Sequence, residues 1–244
     1  MNDTINNLHS KIENLQNEIS FKNGLISILS HDSKSLFSGF LWLIEAVEQK
    51  TISEEDFFKM LPQVKNDAQK NLQTVQDSTT WLKTQYGDFK IKPEKIPVIG
   101  LFQHLEVKYA GRLKEKNLSF RFHGDTSAFV ETDRILIEFV LDKILNNAVK
   151  YSMPGQDIYL NVITEKAQVI LSVTDSGTGM DEKFLANIYN YDNPVFQGTA
   201  GETGVGLSLK IVKNFISLMQ GSIEIISSAY KGTTVSLFLP KMNE

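Results

Sequence analysis

The 244-residue chain contains no cysteine. Disulfides, thiolate nucleophiles and zinc–thiolate centres are therefore excluded, and a reducing intracellular compartment suits the chain. Proline and glycine are scarce in the first ninety residues, where only Pro62, Gly24, Gly39 and Gly87 occur. A turn-rich β fold is excluded there, and long helices are expected. No run approaches the ~18 apolar residues of a membrane-crossing helix. The most apolar stretch, residues 36–47, is interrupted by Ser38, Gly39 and Glu45. The opening MNDTINNLHSKIENLQ lacks the basic start and apolar core of a secretory leader. Positive charge is not in excess either: the net charge is −4. Nothing favours nucleic acid or an anionic membrane as a partner. These absences leave a cytoplasmic-type globular chain, or the cytoplasmic part of something longer.

The composition of the chain changes near residue 92. Before it, Ile5, Leu8, Ile12, Leu15 and Ile19 follow at alternating steps of three and four, the a/d seam of a short coiled coil. The same frame puts Ile26 at a, Leu29 at d and His31 outward at f. A coil this short is marginal alone, so it feeds a larger helical dimer. Ser53 can cap a second helix whose first turn is acidic. Phe57, Met60, Leu61, Val64, Ala68, Leu72, Val75 and Leu82 then follow at helical spacing. Two long amphipathic helices make a hairpin, and two hairpins from two chains close a four-helix bundle.

Residues 87–100, GDFKIKPEKIPVIG, read as a linker. Beyond them the pattern predicts helices over 98–115, 134–151 and 207–219. It predicts strands over 118–123, 129–131, 157–164, 168–174, 222–227 and 233–239. Helices on one face of a mixed sheet make an α/β sandwich. The expected fold class is thus α+β and multidomain. A coiled-coil lead-in spans 1–22, a dimerisation hairpin 23–92 and a sandwich domain 93–244.

Four local features bear on chemistry, each with a plain structural alternative. Asn147 offers a neutral oxygen suited to Mg²⁺ beside phosphates. Lys150 lies one turn on, and Tyr151 offers a ring to a base; a polar helix end is the plain reading. Asp175-Ser176-Gly177-Thr178-Gly179 makes a tight turn after a β run. Asp175 can accept from an exocyclic amine such as that of adenine, and the glycines permit close backbone approach; a hairpin turn explains the same residues. Gly201-Glu202-Thr203-Gly204-Val205-Gly206-Leu207 opens a helix, whose N-terminal N–H groups attract phosphate. It follows no strand directly and lacks the G-K-[ST] of a P-loop, so neither a Rossmann nor a P-loop reading holds. His31-Asp32 pairs an outward imidazole with a carboxylate, a nucleophile beside a base; a lone surface histidine is the alternative.

In order and spacing, the chain resembles the sensor histidine kinases of two-component systems, from about residue 23 to 241. SHDSKS looks like the H-box, LDKILNNAVKYS the N-box, VTDSGTGM the G1 box and GETGVGLSLKIVKNF the G2 box. MQGSIEIISSAYKGTTVSLFLP is similar to the usual end of the catalytic domain. The N-box, G1 and G2 boxes together mark the ATP-binding fold of the GHKL superfamily. The resemblance implies a histidine kinase that phosphorylates His31 from Mg²⁺-ATP. It further implies a homodimer formed through the helical hairpin and transfer to the receiver domain of a separate response regulator. Asn147 would hold Mg²⁺, Lys150 would meet the phosphates and Tyr151 would flank the nucleotide. Asp175 would bond the adenine amine with Thr233 helping through water, and Gly177 and Gly179 would let the base sit close. Residues 187–203 would form an ATP lid with Tyr189 and Phe196 as its aromatics. Gly204 and Gly206, just before Leu207, would contact phosphate. Asp32 would orient His31 and take its proton, and residues 93–97 would act as the hinge between the two domains.

Three departures from the family pattern qualify this. Lys143 stands where a second N-box Asn is usual, on the helix face of Asn147; it could compete with the metal, contact phosphate or snorkel away. Ser35 stands where Thr or Asn positions a phosphatase water. Leu36 replaces a common proline that would bend the helix. These departures motivate a rival, an ATP-binding dimeric scaffold with feeble kinase activity. A GHKL ATPase is disfavoured, because Glu138 lies more than two turns before Asn147 and is poorly placed to activate water.

Overall fold

The computed structural model describes residues 2–85, 89–189, 196–202 and 208–241. The chain divides into two compact units, residues 1–87 and 88–244. The first unit is two helices, α1 (Asn2–Glu48) and α2 (Glu54–Gln85). Between them the backbone turns at Lys50, and the Thr51 N–H and hydroxyl both return to the Ala46 carbonyl, at 2.9 and 3.0 Å. Ser53 caps α2 as its position predicts. Its hydroxyl accepts from the Asp56 N–H at 3.1 Å and donates to the Asp56 carboxylate at 2.7 Å, a reciprocal cap.

The hairpin packs differently from the simple apolar stripe. Leu25, Leu43 and Ala46 of α1 and Trp81 of α2 are buried. The other buried residues of α2 are polar: Asn71, Thr74, Asp77 and Ser78. Ser33 of α1 donates to the Asn71 amide oxygen at 3.3 Å. Leu72 and Val75 of the apolar stripe face outward from this one hairpin, at 58 and 42 % exposure. Leu8, Ile12, Ile19 and Ile26 of the heptad seam are also exposed, as are Phe37, Phe40, Leu41 and Trp42; the side chains of Ile5 and Leu15 lie outside the described residues. Among the described residues, one hairpin thus leaves many of its large apolar side chains uncovered. None of the helices among the described residues is long and apolar enough to cross a membrane.

The second unit begins earlier than a linker would allow. Residues 93–97 are a strand, β1 (Pro93–Pro97), antiparallel to β3 (Phe129–Asp133), with Ile96 buried opposite Val130. The Lys92 N–H adds a bond to the Asp133 carboxylate at 3.1 Å. Both prolines stand at strand ends, where a missing donor is tolerated, so the stretch pairs despite its linker-like composition. The expected hinge over 93–97 is therefore corrected: those residues are part of the second unit.

α3 (Val98–Glu115), β2 (Ser119–Gly124), α4 (Arg134–Tyr151), β4 (Asp157–Thr164), β5 (Gln168–Asp175), α6 (Ser208–Leu218), β6 (Ser222–Ser228) and β7 (Gly232–Pro240) lie close to their predicted positions. A short helix, α5 (Glu182–Ala186), was hidden in the glycine-rich region; Asp181 caps it through the Phe184 N–H at 2.7 Å. The main sheet has the order β2-β4-β5-β7-β6, antiparallel except for the parallel β2–β4 pair. Alternate residues of β4 and β5 (Ile158, Leu160, Val162; Val169, Leu171, Val173) are buried, as period-two strands covered on one face require. The opposite side of this core is supplied by Leu136, Ile137, Val140, Leu141, Ile144 and Leu145 of α4 and by Ile211, Val212 and Phe215 of α6.

Candidate nucleotide site

The site is built where α4, β5 and the β6–β7 hairpin end together. Asp133 fixes the start of α4 by accepting from the Ile135 and Leu136 N–H groups at 3.0 and 3.3 Å. α4 then runs with one face on the sheet and brings Asn147, half-buried, Lys150, buried, and Tyr151 to its last turn. The Tyr151 carbonyl accepts from the Thr178 N–H at 3.1 Å, which joins the end of α4 to the turn after β5.

Asp175 ends β5, paired with Thr233 of β7. Its carboxylate accepts from the Gly177 N–H at 2.9 Å, the local bond of an Asx-type turn. Burial pushes this carboxyl from the ordinary 3.8 to about 6, although the Gly177 and Thr233 N–H groups pull it down. A carboxylate with little access to water and a lone pair to spare is a selective acceptor for a buried N–H donor. Gly177 is required by contact: a Cβ there would strike the Tyr151 carbonyl. Gly179 is required twice, by φ of +60° and by the Ser228 carbonyl against the place of its Cβ. Thr233 is held by Ser227, whose hydroxyl is 2.8 Å from the Thr233 hydroxyl, donates to the Gly232 carbonyl and accepts from the Met180 N–H. Ser227 went unnoticed in the sequence; its only signal is a polar position on β6 facing Thr233 across the register.

Segment 196–202 lies against the end of α4. The Phe196 carbonyl accepts from Lys150 Nζ at 3.3 Å and from the Tyr151 hydroxyl at 3.2 Å. Lys150 Nζ also sits 4.8 Å above the Tyr151 ring. Burial, then the Glu202 charge, raises the Tyr151 hydroxyl pKa. The Phe196 ring packs edge-on against Phe184 of α5, while Tyr189 lies under Lys213 of α6. Both of these expected lid aromatics therefore pack against the domain.

The remaining candidates divide. His31 and Ser35 are exposed on α1 in the first unit. The Asp32 side chain, and Gly204, Gly206 and Leu207, lie outside the described residues. Lys143 does not snorkel to solvent. It is buried, with Nζ 3.9 Å from the Asp142 carboxylate and 5.1 Å from the centre of the Phe139 ring.

An acidic acceptor beside two close-packed glycines, a lysine at a helix end and a neutral amide one turn before it are thus gathered at one end of the second unit. Residues 132–243 match the family of histidine kinase-, DNA gyrase B- and HSP90-like ATPases. The autoinducer 2 sensor kinase/phosphatase LuxQ of Vibrio vulnificus is 26% identical over 223 residues, which are 87% of this chain and 26% of that protein. The chain thus spans about a quarter of this curated relative. Among solved structures, Acinetobacter baumannii histidine kinase AdeS superposes with a TM-score of 0.69 at 18% identity, covering 87% of this chain and 98% of that one. Histidine kinase ThkA in complex with the response regulator protein TrrA gives 0.65 at 16% identity, covering 88% and 59%. The family model covers most of the second unit, and over most of its length the chain is similar to sensor kinases.

Proposed function

We propose that the chain is an ATP-dependent protein-histidine kinase that phosphorylates its own His31 and passes the group to an aspartate of a separate response regulator. One observation carries the reading: the same chain bears an exposed His31 on a helical hairpin and, in its second unit, the Asp175–Gly177 turn packed on the end of α4. Phosphoryl transfer depends on placement and charge neutralisation more than on covalent help from the protein. Asp175 selects adenine by accepting its amine, and Lys150 meets the phosphates. A ring nitrogen of His31 bonds to the γ-phosphorus as the bond to the ADP oxygen breaks, and Asp32 takes the imidazole proton. The phosphohistidine then yields its group to the regulator's carboxylate; the solved complex of ThkA with a response regulator supports that class of partner. ATP as donor makes the cytoplasm the place of action.

Asn147 offers one neutral oxygen for a divalent ion, and among the described residues no group of three His, Cys, Asp or Glu could hold a metal unaided. This donor set fits Mg²⁺ that arrives on the nucleotide phosphates, where it would neutralise their charge. The exposed Phe37, Phe40, Leu41 and Trp42, with the heptad residues, support a homodimer through the hairpin, since a patch this apolar needs a cover. A second reading, an ATP-binding dimeric scaffold with feeble activity, is favoured by the buried ammonium of Lys143 one turn before Asn147.

Incubation with γ-labelled ATP and Mg²⁺ tests the proposal. Acid-labile, alkali-stable label on the wild type and none on His31→Ala is expected. Bound ATP without label on the wild type would leave the scaffold, and label that survives His31→Ala would move the acceptor elsewhere.

A further inference from the structure

One cation closely engaged beside this site is one the motifs do not name. Lys116 follows the last residue of α3, and its side chain is only 10 % exposed. Its ammonium lies 2.8 Å from the Val149 carbonyl, 3.0 Å from the Lys150 carbonyl, 2.6 Å from the Thr199 hydroxyl and 3.1 Å from the Glu202 carboxylate. Four acceptors compete for three N–H donors, so the head is saturated. Two of them are carbonyls of the last turn of α4, the negative end of that helix.

The other two belong to segment 196–202. Glu202 accepts from the Ala200 N–H at 2.9 Å through its second oxygen, and its carbonyl accepts from the Gly198 N–H at 2.7 Å. The Thr199 N–H reaches the Lys150 carbonyl at 3.0 Å, and its hydroxyl donates to the Ser152 carbonyl at 2.6 Å. Gly198 has no room for a side chain, since a Cβ would come within 2.6 Å of Lys150 Cγ. The segment is thus a small closed loop gripped through Lys116, and its Phe196 carbonyl occupies the heads of Lys150 and Tyr151.

We infer that Lys116 is a positioning residue for the phosphate side of the nucleotide site, acting through Thr199 and Glu202. Lys150 spends one of its three N–H donors on the Phe196 carbonyl, and that bond can loosen when the ammonium turns to a phosphate. When it does so, the loop keeps its place on α4 through the Lys116 ammonium, so the phosphate pocket retains its wall. The adenine end rests on Asp175, Gly177 and Gly179, none of which Lys116 touches. This inference rests on the nucleotide-site reading, and it separates the two ends of the ligand.

The test is competition by ATP and by adenosine against a fluorescent ATP analogue, with Mg²⁺, on the full chain. Lys116→Met keeps the aliphatic stem and should weaken ATP by about tenfold, the weight of one charge-assisted hydrogen bond, with adenosine within about twofold. Glu202→Gln should do the same, and the double variant should be no worse than the poorer single one, because both remove one linkage. Glu202→Gln is nearly isosteric and carries the test independently of how well Lys116→Met folds. ATP binding at wild-type strength in both variants would overturn the inference, as would equal losses for ATP and adenosine, which mark general damage to the domain. A wild-type chain that binds neither ligand would overturn the nucleotide reading and this inference with it.

Discussion

Replacing Asp175 with asparagine should make the second unit more stable and less able to bind ATP, and the gain should depend on pH. The Asp175 carboxyl is raised from 3.8 to about 6 in the folded chain, chiefly by burial at 8 % exposure. Its folded state therefore prefers the protonated form. Stability from this group is fully present below about pH 4 and is lost as pH rises through about 6. At ~1.4 kcal/mol per pKa step, the charge costs roughly 3 kcal/mol above pH 7. Asparagine keeps an oxygen that can accept from the Gly177 N–H and carries no charge. At pH 8 the variant should gain up to ~3 kcal/mol, or roughly 6–12 °C in Tm for a domain of this size; at pH 4 the gain should vanish. In the proposed function adenine is held by the ionised acceptor, so the variant should lose ATP, and wild-type binding should weaken as pH falls through about 6. Thermal melts of both proteins from pH 4 to 8, with ATP titrations at each pH, measure both effects. A variant that is no more stable at pH 8 than at pH 4 relative to wild type, or that binds ATP undiminished, would refute the reasoning.

Two further outcomes follow from exposure and from burial. Phe37→Asp with Trp42→Asp, both on the uncovered apolar surface of α1, should raise the dimer dissociation constant by about 100-fold or more; light scattering that still reports a dimer at micromolar concentration would place the interface elsewhere. Lys143→Asn removes the buried ammonium one turn before Asn147 and should raise the initial rate of His31 labelling severalfold at limiting Mg²⁺, while an unchanged or lower rate would clear Lys143 of hindering the metal.

Much of the local structure could be read along the chain. The period-two runs 157–164 and 168–174, the 3.6-period run 134–151 and the Ser53 cap all rest on forces acting within a few residues, so their positions emerge without knowledge of the fold. The same holds for the glycines of the Asp175 turn, whose backbone demands are local. Linker composition misled at 93–97: proline and glycine report what the backbone tolerates, and pairing with β3 was settled by residues over thirty positions away. The α2 stripe left another question open. Periodicity marks an apolar face, but it does not say whether that face meets the same chain or a partner, and Leu72 and Val75 turn away from α1.

The nucleotide site shows the same division. Asn147, Lys150, Tyr151 and Asp175 stand out as candidates by side-chain type and spacing alone. Lys116 drew no notice, since a lysine just past a helix end is ordinary in sequence. Its acceptors stand 33 to 86 residues further on, and only the packing of α3 and α4 and the closed loop of 196–202 brings them to one ammonium. The raised pKa of Asp175 is likewise a property of the fold: the aspartate is written in the sequence, but the desolvation that changes its chemistry comes from the strands and turns packed around it.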